Sequence, residues 1–226
     1  MSKRRIKSGP LMAPLPVVLV TVSDGEQANV FTAAWSGIAN TRPPMVTLSV
    51  RPERYSHAMI EKTGSFVINL VNTELVKAAD YCGVRSGRDE NKFEILGLET
   101  EPADEVPAPL LAASPLALEC RVKQKTSLPT HDLYLAEVVA VHIEDSYVRE
   151  DGYYDYAAMG LVAYVHGGYY PVGQDAFGGF GFSVMKPKTK KRREMEKKRT
   201  AAKKSSAKRI TGKKSSAKRS AGGDKC

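Results

Sequence analysis

Two arginines and a serine within six residues form the pattern in this sequence that is best suited to binding a phosphate. Residues 51–56 (Arg-Pro-Glu-Arg-Tyr-Ser) place the guanidinium groups of Arg51 and Arg54 close to the hydroxyl of Ser56. Guanidinium and hydroxyl groups are good donors to phosphate oxygens. Lys92 adds another cation farther along the chain. Any one arginine is more often a solvated surface charge, so the interpretation depends on the group.

A run upstream of these cations, residues 29–35 (Asn-Val-Phe-Thr-Ala-Ala-Trp), is suited to a flat ligand. Small side chains at the end of a strand let such a ligand lie close to the backbone, whose amides can then donate hydrogen bonds. Asn29 and Ser49 add polar groups. Taken alone, Asn29 and Thr32 are typical of strand and turn polarity, and the single tryptophan, Trp35, is typical of a core.

Strands dominate the elements that must position these residues. β-Branched and alternating stretches predict strands over residues 16–22, 28–32, 45–50, 65–70, 117–125 and 133–144. Helical spacing predicts short helices over residues 55–62 and 74–81, and the charged residues 85–92 predict a surface loop. The predicted fold class is mainly β, an antiparallel barrel with a few short inserted helices, because closure removes exposed sheet edges.

The net charge of +9 is divided unevenly along the 226 residues. Residues 1–185 hold 16 Lys and Arg against 22 Asp and Glu, whereas residues 186–226 hold 18 against 3. The tail repeats Lys-Lys-Ser-Ser-Ala-Lys-Arg at residues 203–209 and 213–219 and has no residues able to build a core. The sequence therefore predicts a folded domain over residues 1–187 and a disordered, Lys/Arg-rich tail over residues 188–226.

Several other classes of protein lack their motifs here. The chain has neither a Gly-x-Gly-x-x-Gly fingerprint nor a P-loop, and its four histidines show no metal-ligand spacing, so we expect no metal site. Three scattered cysteines fit a reducing compartment, and we expect a cytoplasmic protein. We expect Cys82 and Cys120 to be buried and Cys226 to be an exposed thiol.

Neither an export signal nor a membrane span is indicated. The apolar run at residues 11–20 is interrupted by Pro14 and Pro16 and is followed by no small-residue cleavage site. No apolar stretch approaches the ~20 residues that a spanning helix needs.

In their order along the chain, these segments resemble the flavin reductase family, in its flavoredoxin-like branch of FMN-binding split β-barrels. The resemblance rests on residues 29–35, 42–50, 51–57 and 64–69 and extends from about Pro14 to about Pro187. It implies bound FMN, NADH or NADPH as electron donor, and a flavin, ferric or protein acceptor. It also implies a homodimer with FMN near the interface. Because the flavin performs the redox chemistry, we expect no catalytic acid or base.

The resemblance also assigns the cofactor contacts residue by residue. The backbone of Thr32, Ala33, Ala34 and Trp35 is expected to face the isoalloxazine ring. Asn29 and Ser49 are expected along the ribityl chain, and Val50 and Tyr55 are also expected to contact the cofactor. The phosphate is assigned to Arg54 and Ser56, with Arg51 on the loop beside them and Lys92 reaching it from farther along the chain. His166, in a late glycine- and tyrosine-rich segment, is expected near the flavin.

Two alternatives stay open from the sequence. The protein could carry electrons on FMN without oxidising NADH or NADPH, because nicotinamide can stack on a flavin without a sequence fingerprint. The basic tail could bind nucleic acid or another anionic surface without sequence preference, since it lacks aromatic residues for base stacking. A solubilising extension is an equal explanation of the tail.

Overall fold

The chain builds its core from strands. The computed structural model describes residues 1–173 and 175–187 together with residues 189, 192 and 195. The strands in this part of the chain are β1 (Leu15–Pro16), β2 (Val18–Ser23), β3 (Ala28–Ala33), β4 (Ser36–Thr41), β5 (Pro44–Val50), β6 (Ser65–Leu70), β7 (Thr100–Glu101), β8 (Leu110–Leu111), β9 (Leu116–Ser127), β10 (Asp132–Ile143), β11 (Val162–Val165) and β12 (Gly168–Pro171). The α-helices are α1 (Tyr55–Thr63), α2 (Val76–Val84) and α3 (Lys92–Leu96).

Seven of these strands form one antiparallel sheet in the order β3-β2-β6-β9-β10-β5-β4. A second, three-stranded sheet pairs β1 with β11 and β11 with β12. Together they confirm the predicted mainly β, antiparallel fold with few helices.

Strand β2 is buried on both faces because its side chains alternate between two apolar clusters. Val18, Val20 and Val22 pack into the cluster that also holds Met59 and Ile60 of α1. Leu19 points the other way, into the cluster that includes Ala78 and Ala79 of α2. Helices α1 and α2 therefore cover opposite faces of this part of the sheet, and each is held beside β3.

The strands predicted over residues 16–22 and 28–32, both predicted helices and the two long strands are present with boundaries shifted by a few residues. Gly64 ends α1 in the left-handed region, with φ +63°, as a glycine at this position predicts. The predicted loop over residues 85–92 is only partly correct, because Lys92 begins the short helix α3 and is buried.

Cys82 and Cys120 are both buried, as expected. Burial raises the pKa of the Cys82 thiol to about 11 and that of the Cys120 thiol to about 12. Cys226 and nearly all of the tail predicted over residues 188–226 lie outside the described residues.

The model separates residues 1–175 from residues 176–226 as two compact units. The domain boundary at residue 187 stays a prediction. Among the described residues, we find no helix with the length and apolar character needed to cross a membrane.

Candidate functional site

The first turn of α1 brings Arg54 and Ser56 beside β3. Arg54 directly precedes the helix, and Ser56 is buried in its first turn. The amide Nδ2 of Asn29 donates to the hydroxyl oxygen of Ser56 at 2.8 Å, which joins β3 to the helix. The amides of a first helical turn and the helix dipole favour an anion at this end. The structure therefore brings three of the predicted residues together at a point suited to a phosphate.

Lys92 reaches the same point from α3. Its side chain is 2 % exposed. Its Nζ donates to the carbonyl oxygen of Arg85 at 3.4 Å, which is the one hydrogen bond that the described residues give it. Burial is the main cause of a lowered pKa for this ammonium, and the nearby Arg54 cation acts in the same direction. An ammonium with three donors and one long hydrogen bond is well suited to receive an anion.

These residues line a cavity of about 40 Å³, which we call the cation cavity. Its volume suits a group the size of a phosphate and is far below that of a site for a whole cofactor. The predicted residues that line the cation cavity are Asn29, Thr32, Arg54, Tyr55, Ser56 and Lys92. Others were not foreseen: Phe31, Cys82, Gly83, Arg85, Ser86 and Gly87. The glycines, the serine and the arginines at residues 83–88 were the signal that sequence reasoning passed over.

Gly87 lets the loop at residues 85–91 approach Asn29. A Cβ atom on Gly87 would lie 2.2 Å from Oδ1 of Asn29, far inside a normal contact. The loop also holds Glu90, whose Oε2 accepts a hydrogen bond from the hydroxyl of Tyr81 at 3.1 Å. Its Oε1 is buried and has no hydrogen-bond partner among the described residues.

A second cavity of about 330 Å³ lies at the other end of β3. We call it the apolar cavity, since its wall is mostly apolar. Of the predicted residues, Ala34, Trp35 and Ser49 line it. Pro10, Met12 and Leu15, which the sequence did not indicate, line it as well, together with Ser36 and Thr47. Its volume is in the range of small-molecule sites.

Trp35 is a wall of the apolar cavity and not part of the core. Its side chain is 46 % exposed. The amide of Ser49 donates to the carbonyl oxygen of Trp35 at 3.0 Å, which fixes the backbone there. The imidazole of His131 stacks on the indole with ring centroids 4.7 Å apart and planes inclined by 34°. From sequence, His131 is an ordinary loop histidine, and its contact with Trp35 arises from the sheet order.

Three predicted residues are placed differently from the rest. The side chains of Ala33 and Val50 are buried in the core, and neither residue lines either cavity. Arg51 lies on the surface and donates to Oε1 of Glu53 at 3.2 Å, and it lines neither cavity.

His166 contacts the apolar cavity only through the N-terminal segment. It adopts φ +40°, a conformation uncommon for residues other than glycine, in the turn between β11 and β12. Its Nε2 donates to the carbonyl oxygen of Leu11 at 3.2 Å. Leu11 lies between Pro10 and Met12, so His166 holds the segment that forms one wall.

The fold of this chain is similar to the folds of two solved flavoredoxins. Flavoredoxin of Desulfovibrio vulgaris (Miyazaki F) is 30 % identical with a TM-score of 0.75, over 80 % of this chain and 100 % of its own. Flavoredoxin from Methanosarcina acetivorans is 29 % identical with a TM-score of 0.74, over 82 % of this chain and 100 % of its own. A flavin reductase with a split barrel domain from Shewanella frigidimarina is 25 % identical with a TM-score of 0.67, over 74 % of this chain and 86 % of its own. This match and the antiparallel topology confirm the predicted split β-barrel.

Sequence relatives lead to the same family. An uncharacterized protein of Archaeoglobus fulgidus is 32 % identical over 134 residues, which are 59 % of this chain and 75 % of that protein. The model of the flavin reductase like domain matches residues 12–173, well over half of the chain. The protein therefore belongs to the flavin reductase-like domain family, as its sequence indicated.

Proposed function

We propose that this protein is an FMN-binding oxidoreductase of the flavin reductase or flavoredoxin type. It passes electrons from NADH or NADPH through FMN to a flavin, a ferric complex or a protein. The observation that carries the proposal is the pairing of the cation cavity with the apolar cavity along one strand. A small cavity with Arg54, Ser56 and buried Lys92 suits a phosphate. A larger, mostly apolar cavity walled by Ala34 and Trp35 suits a flat ring.

The residues present fit FMN in chemical type as well as in volume. The ammonium of Lys92 is buried with a single long hydrogen bond, which leaves donors for phosphate oxygens. Gly87 keeps the loop close enough for Asn29 and Ser56 to face the cation cavity together.

Bound FMN would supply the chemistry of accepting a hydride and releasing electrons. The chain's own contribution is binding, orientation and exclusion of water. Arg54 and Lys92 neutralise the phosphate, and the first turn of α1 adds backbone donors. Trp35, Met12 and Leu15 keep water from one side of the ring site, while its open side admits the second substrate. We assign no acid–base catalyst to any residue.

Absorbance of the purified protein, followed by titration with FMN, tests the cofactor assignment. We expect either a yellow protein or quenching of FMN fluorescence with a one-to-one endpoint. Arg54→Gln should weaken FMN binding about tenfold, the loss expected for one charge-assisted hydrogen bond. Arg149→Gln is the matched control, because Arg149 forms an exposed ion pair with Asp151 away from both cavities. A colourless protein that takes up no FMN would rule out the proposal.

Steady-state oxidation of NADH and NADPH separates the enzyme from the electron carrier. With FMN bound, we expect turnover with free flavin or a ferric chelate as acceptor. A yellow protein that oxidises neither nucleotide with any acceptor would leave the carrier as the function.

The tail supports a second candidate function, non-specific binding to nucleic acid or another polyanion. Residues 186–226 hold 18 Lys and Arg against 3 Asp and Glu and contain no Phe, Trp or Tyr. Such a segment binds phosphates with a strong dependence on salt. Deletion of residues 188–226 should abolish retention on DNA at low salt and leave FMN affinity unchanged. Equal retention before and after deletion would exclude the tail as the binding segment.

A further inference from the structure

The hairpin between β9 and β10 contacts Trp35, which lines the apolar cavity, and His57, which is next to Ser56 of the cation cavity. Its consecutive residues His131 and Asp132 reach different elements. His131 stacks on Trp35 at the apolar cavity. Asp132 lies 2.7 Å from Nε2 of His57, the neighbour of Ser56 in α1. Successive side chains of an extended chain point to opposite sides, so one dipeptide can contact both ends of a ligand site.

The contact between Asp132 and His57 ties the first turn of α1 to β10. Their side chains are 8 % and 14 % exposed, so the hydrogen bond is largely shielded from water. Hydrogen bonds from Ser127 and His57 hold the pKa of the Asp132 carboxyl below its usual value, which keeps it a charged acceptor. Shielded hydrogen bonds to a charged group are stronger than exposed ones. The position of Ser56 beside Asn29 therefore depends on this link.

The contact between His131 and Trp35 orients the indole. The hydrogen bond from Ser49 fixes the backbone of Trp35 but not its ring. The one aromatic ring in contact with the indole among the described residues is that of His131. The hydroxyl of Thr130 lies 2.9 Å from Nδ1 of His131 and holds the imidazole in turn.

We propose that His131 and Asp132 are positioning residues for FMN, His131 for the ring and Asp132, through His57, for the phosphate. This inference rests on the proposed function. It predicts that loss of the His131–Trp35 contact weakens binding of the ring, whereas loss of the Asp132–His57 contact weakens binding of the phosphate. FMN and riboflavin differ by the phosphate alone, so the ratio of their dissociation constants reports which part has been disturbed.

The test measures FMN and riboflavin affinity by flavin fluorescence in four full-length proteins. They are the wild type, His57→Phe, His131→Ala and the control Glu137→Gln. Glu137 lies on the same hairpin and forms an ion pair with Lys123 at 2.7 Å, so its loss removes a carboxylate without disturbing α1 or Trp35. We expect His57→Phe to weaken FMN about tenfold and riboflavin much less. We expect His131→Ala to weaken both ligands by the same factor and Glu137→Gln to change neither.

The single tryptophan provides a readout without flavin. Because Trp35 is the only Trp in the chain, its emission should change in His131→Ala and be largely restored in His131→Phe, which keeps a stacked ring. Emission in His57→Phe should match the wild type. Where His57→Phe folds poorly, Asp132→Ala breaks the same hydrogen bond from the other side and must change the ligand ratio in the same direction.

The outcomes test the positioning roles of His131 and Asp132 separately from the proposed binding of FMN. Equal weakening of FMN and riboflavin in His57→Phe, or unchanged emission in His131→Ala, would overturn the positioning roles and leave FMN binding intact. A wild type that binds neither flavin would overturn the proposed function and this inference with it.

Discussion

The side chain of Lys92 is buried in surroundings that disfavour its positive charge. It is 2 % exposed, and its ammonium makes one hydrogen bond, to the carbonyl oxygen of Arg85. Burying a charge with so little compensation costs stability. A functional reason for keeping it is an anion that arrives with the ligand.

Replacing this lysine should therefore separate stability from binding. Lys92→Met keeps the length of the side chain and removes the charge, so we expect the free protein to unfold about 2–4 °C higher, the shift that ~1 kcal/mol gives at this size. FMN affinity should fall about tenfold while riboflavin affinity stays the same. Thermal unfolding and the two titrations check this. A lower unfolding temperature would mean that Lys92 stabilises the fold.

The lowered pKa of Lys92 also predicts a pH dependence of binding. Only the protonated amine attracts phosphate, and burial lowers its pKa below the ordinary 10.5. FMN affinity should therefore decline as the pH rises toward 10, earlier than for an exposed lysine. The sign for stability is opposite, because the cost of burying the ammonium disappears once the proton is lost in the folded state. Titrations between pH 7 and pH 10 should show this decline in the wild type and not in Lys92→Met.

At the scale of elements, regular sequence patterns predicted strands and helices, whereas contacts between segments distant in sequence could not be predicted. The alternation in β9 and β10 and the glycine after α1 predicted these elements. Strand β4 was missed, because Ser36–Thr41 contains a single large apolar residue, Ile38, and shows no alternation. Helix α3 is too short for periodicity, and the burial of Lys92 depends on its packing in the fold.

Part of the candidate site could likewise be predicted from the sequence, and part of it could not. The cations and the hydroxyl near residue 54 were predictable from their types and spacing. The N-terminal wall was not, because Pro10 and Met12 reach the apolar cavity through the pairing of β1 with β11, where Leu15 faces Tyr164. His131 likewise reaches Trp35 only because β10 lies beside β5 in the sheet.

The loop at residues 85–91 is the element whose position should be most sensitive to a single methyl group. A Cβ on Gly87 would collide with Asn29 at 2.2 Å, whereas one on Gly83 would meet Cβ of Thr32 at an ordinary 3.6 Å. Gly87→Ala should therefore move the loop or displace Asn29 from Ser56 and weaken FMN binding about tenfold or more. Gly173→Ala is the control and should bind FMN normally, because Gly173 lines neither cavity and an added Cβ there would meet no heavy atom within 4 Å. Equal affinities in both variants would show that the loop adapts without affecting the site.

At the scale of the whole molecule, the β4 edge of the large sheet is suited to be the interface of the homodimer that the family resemblance implies. Strand β4 ends the seven-stranded order, and the side chain of Ile38 on it is 87 % exposed. An exposed edge strand with an apolar residue favours association unless it is covered. A second copy of the chain would cover it and bring the neighbouring Trp35 close to the interface.

Ile38→Asp should consequently shift the protein from dimer to monomer at micromolar concentration, since a carboxylate would be buried in the interface. Light scattering after gel filtration measures the mass. Ile95→Asp, on an exposed face of α3, is the control and should leave the mass unchanged. A dimer that survives Ile38→Asp would place the interface elsewhere.

The burial of the two cysteines bears on how such a protein would survive its own chemistry. Reduced flavins react with oxygen and release peroxide, which attacks thiolates and not protonated thiols. With pKa values of about 11 and 12, Cys82 and Cys120 are almost fully protonated at neutral pH. Cys120 is fully buried, and Cys82, which borders the cation cavity, is 3 % exposed. We therefore expect both thiols to resist peroxide in the folded domain, should a bound flavin react with oxygen, and to become reactive when the domain unfolds.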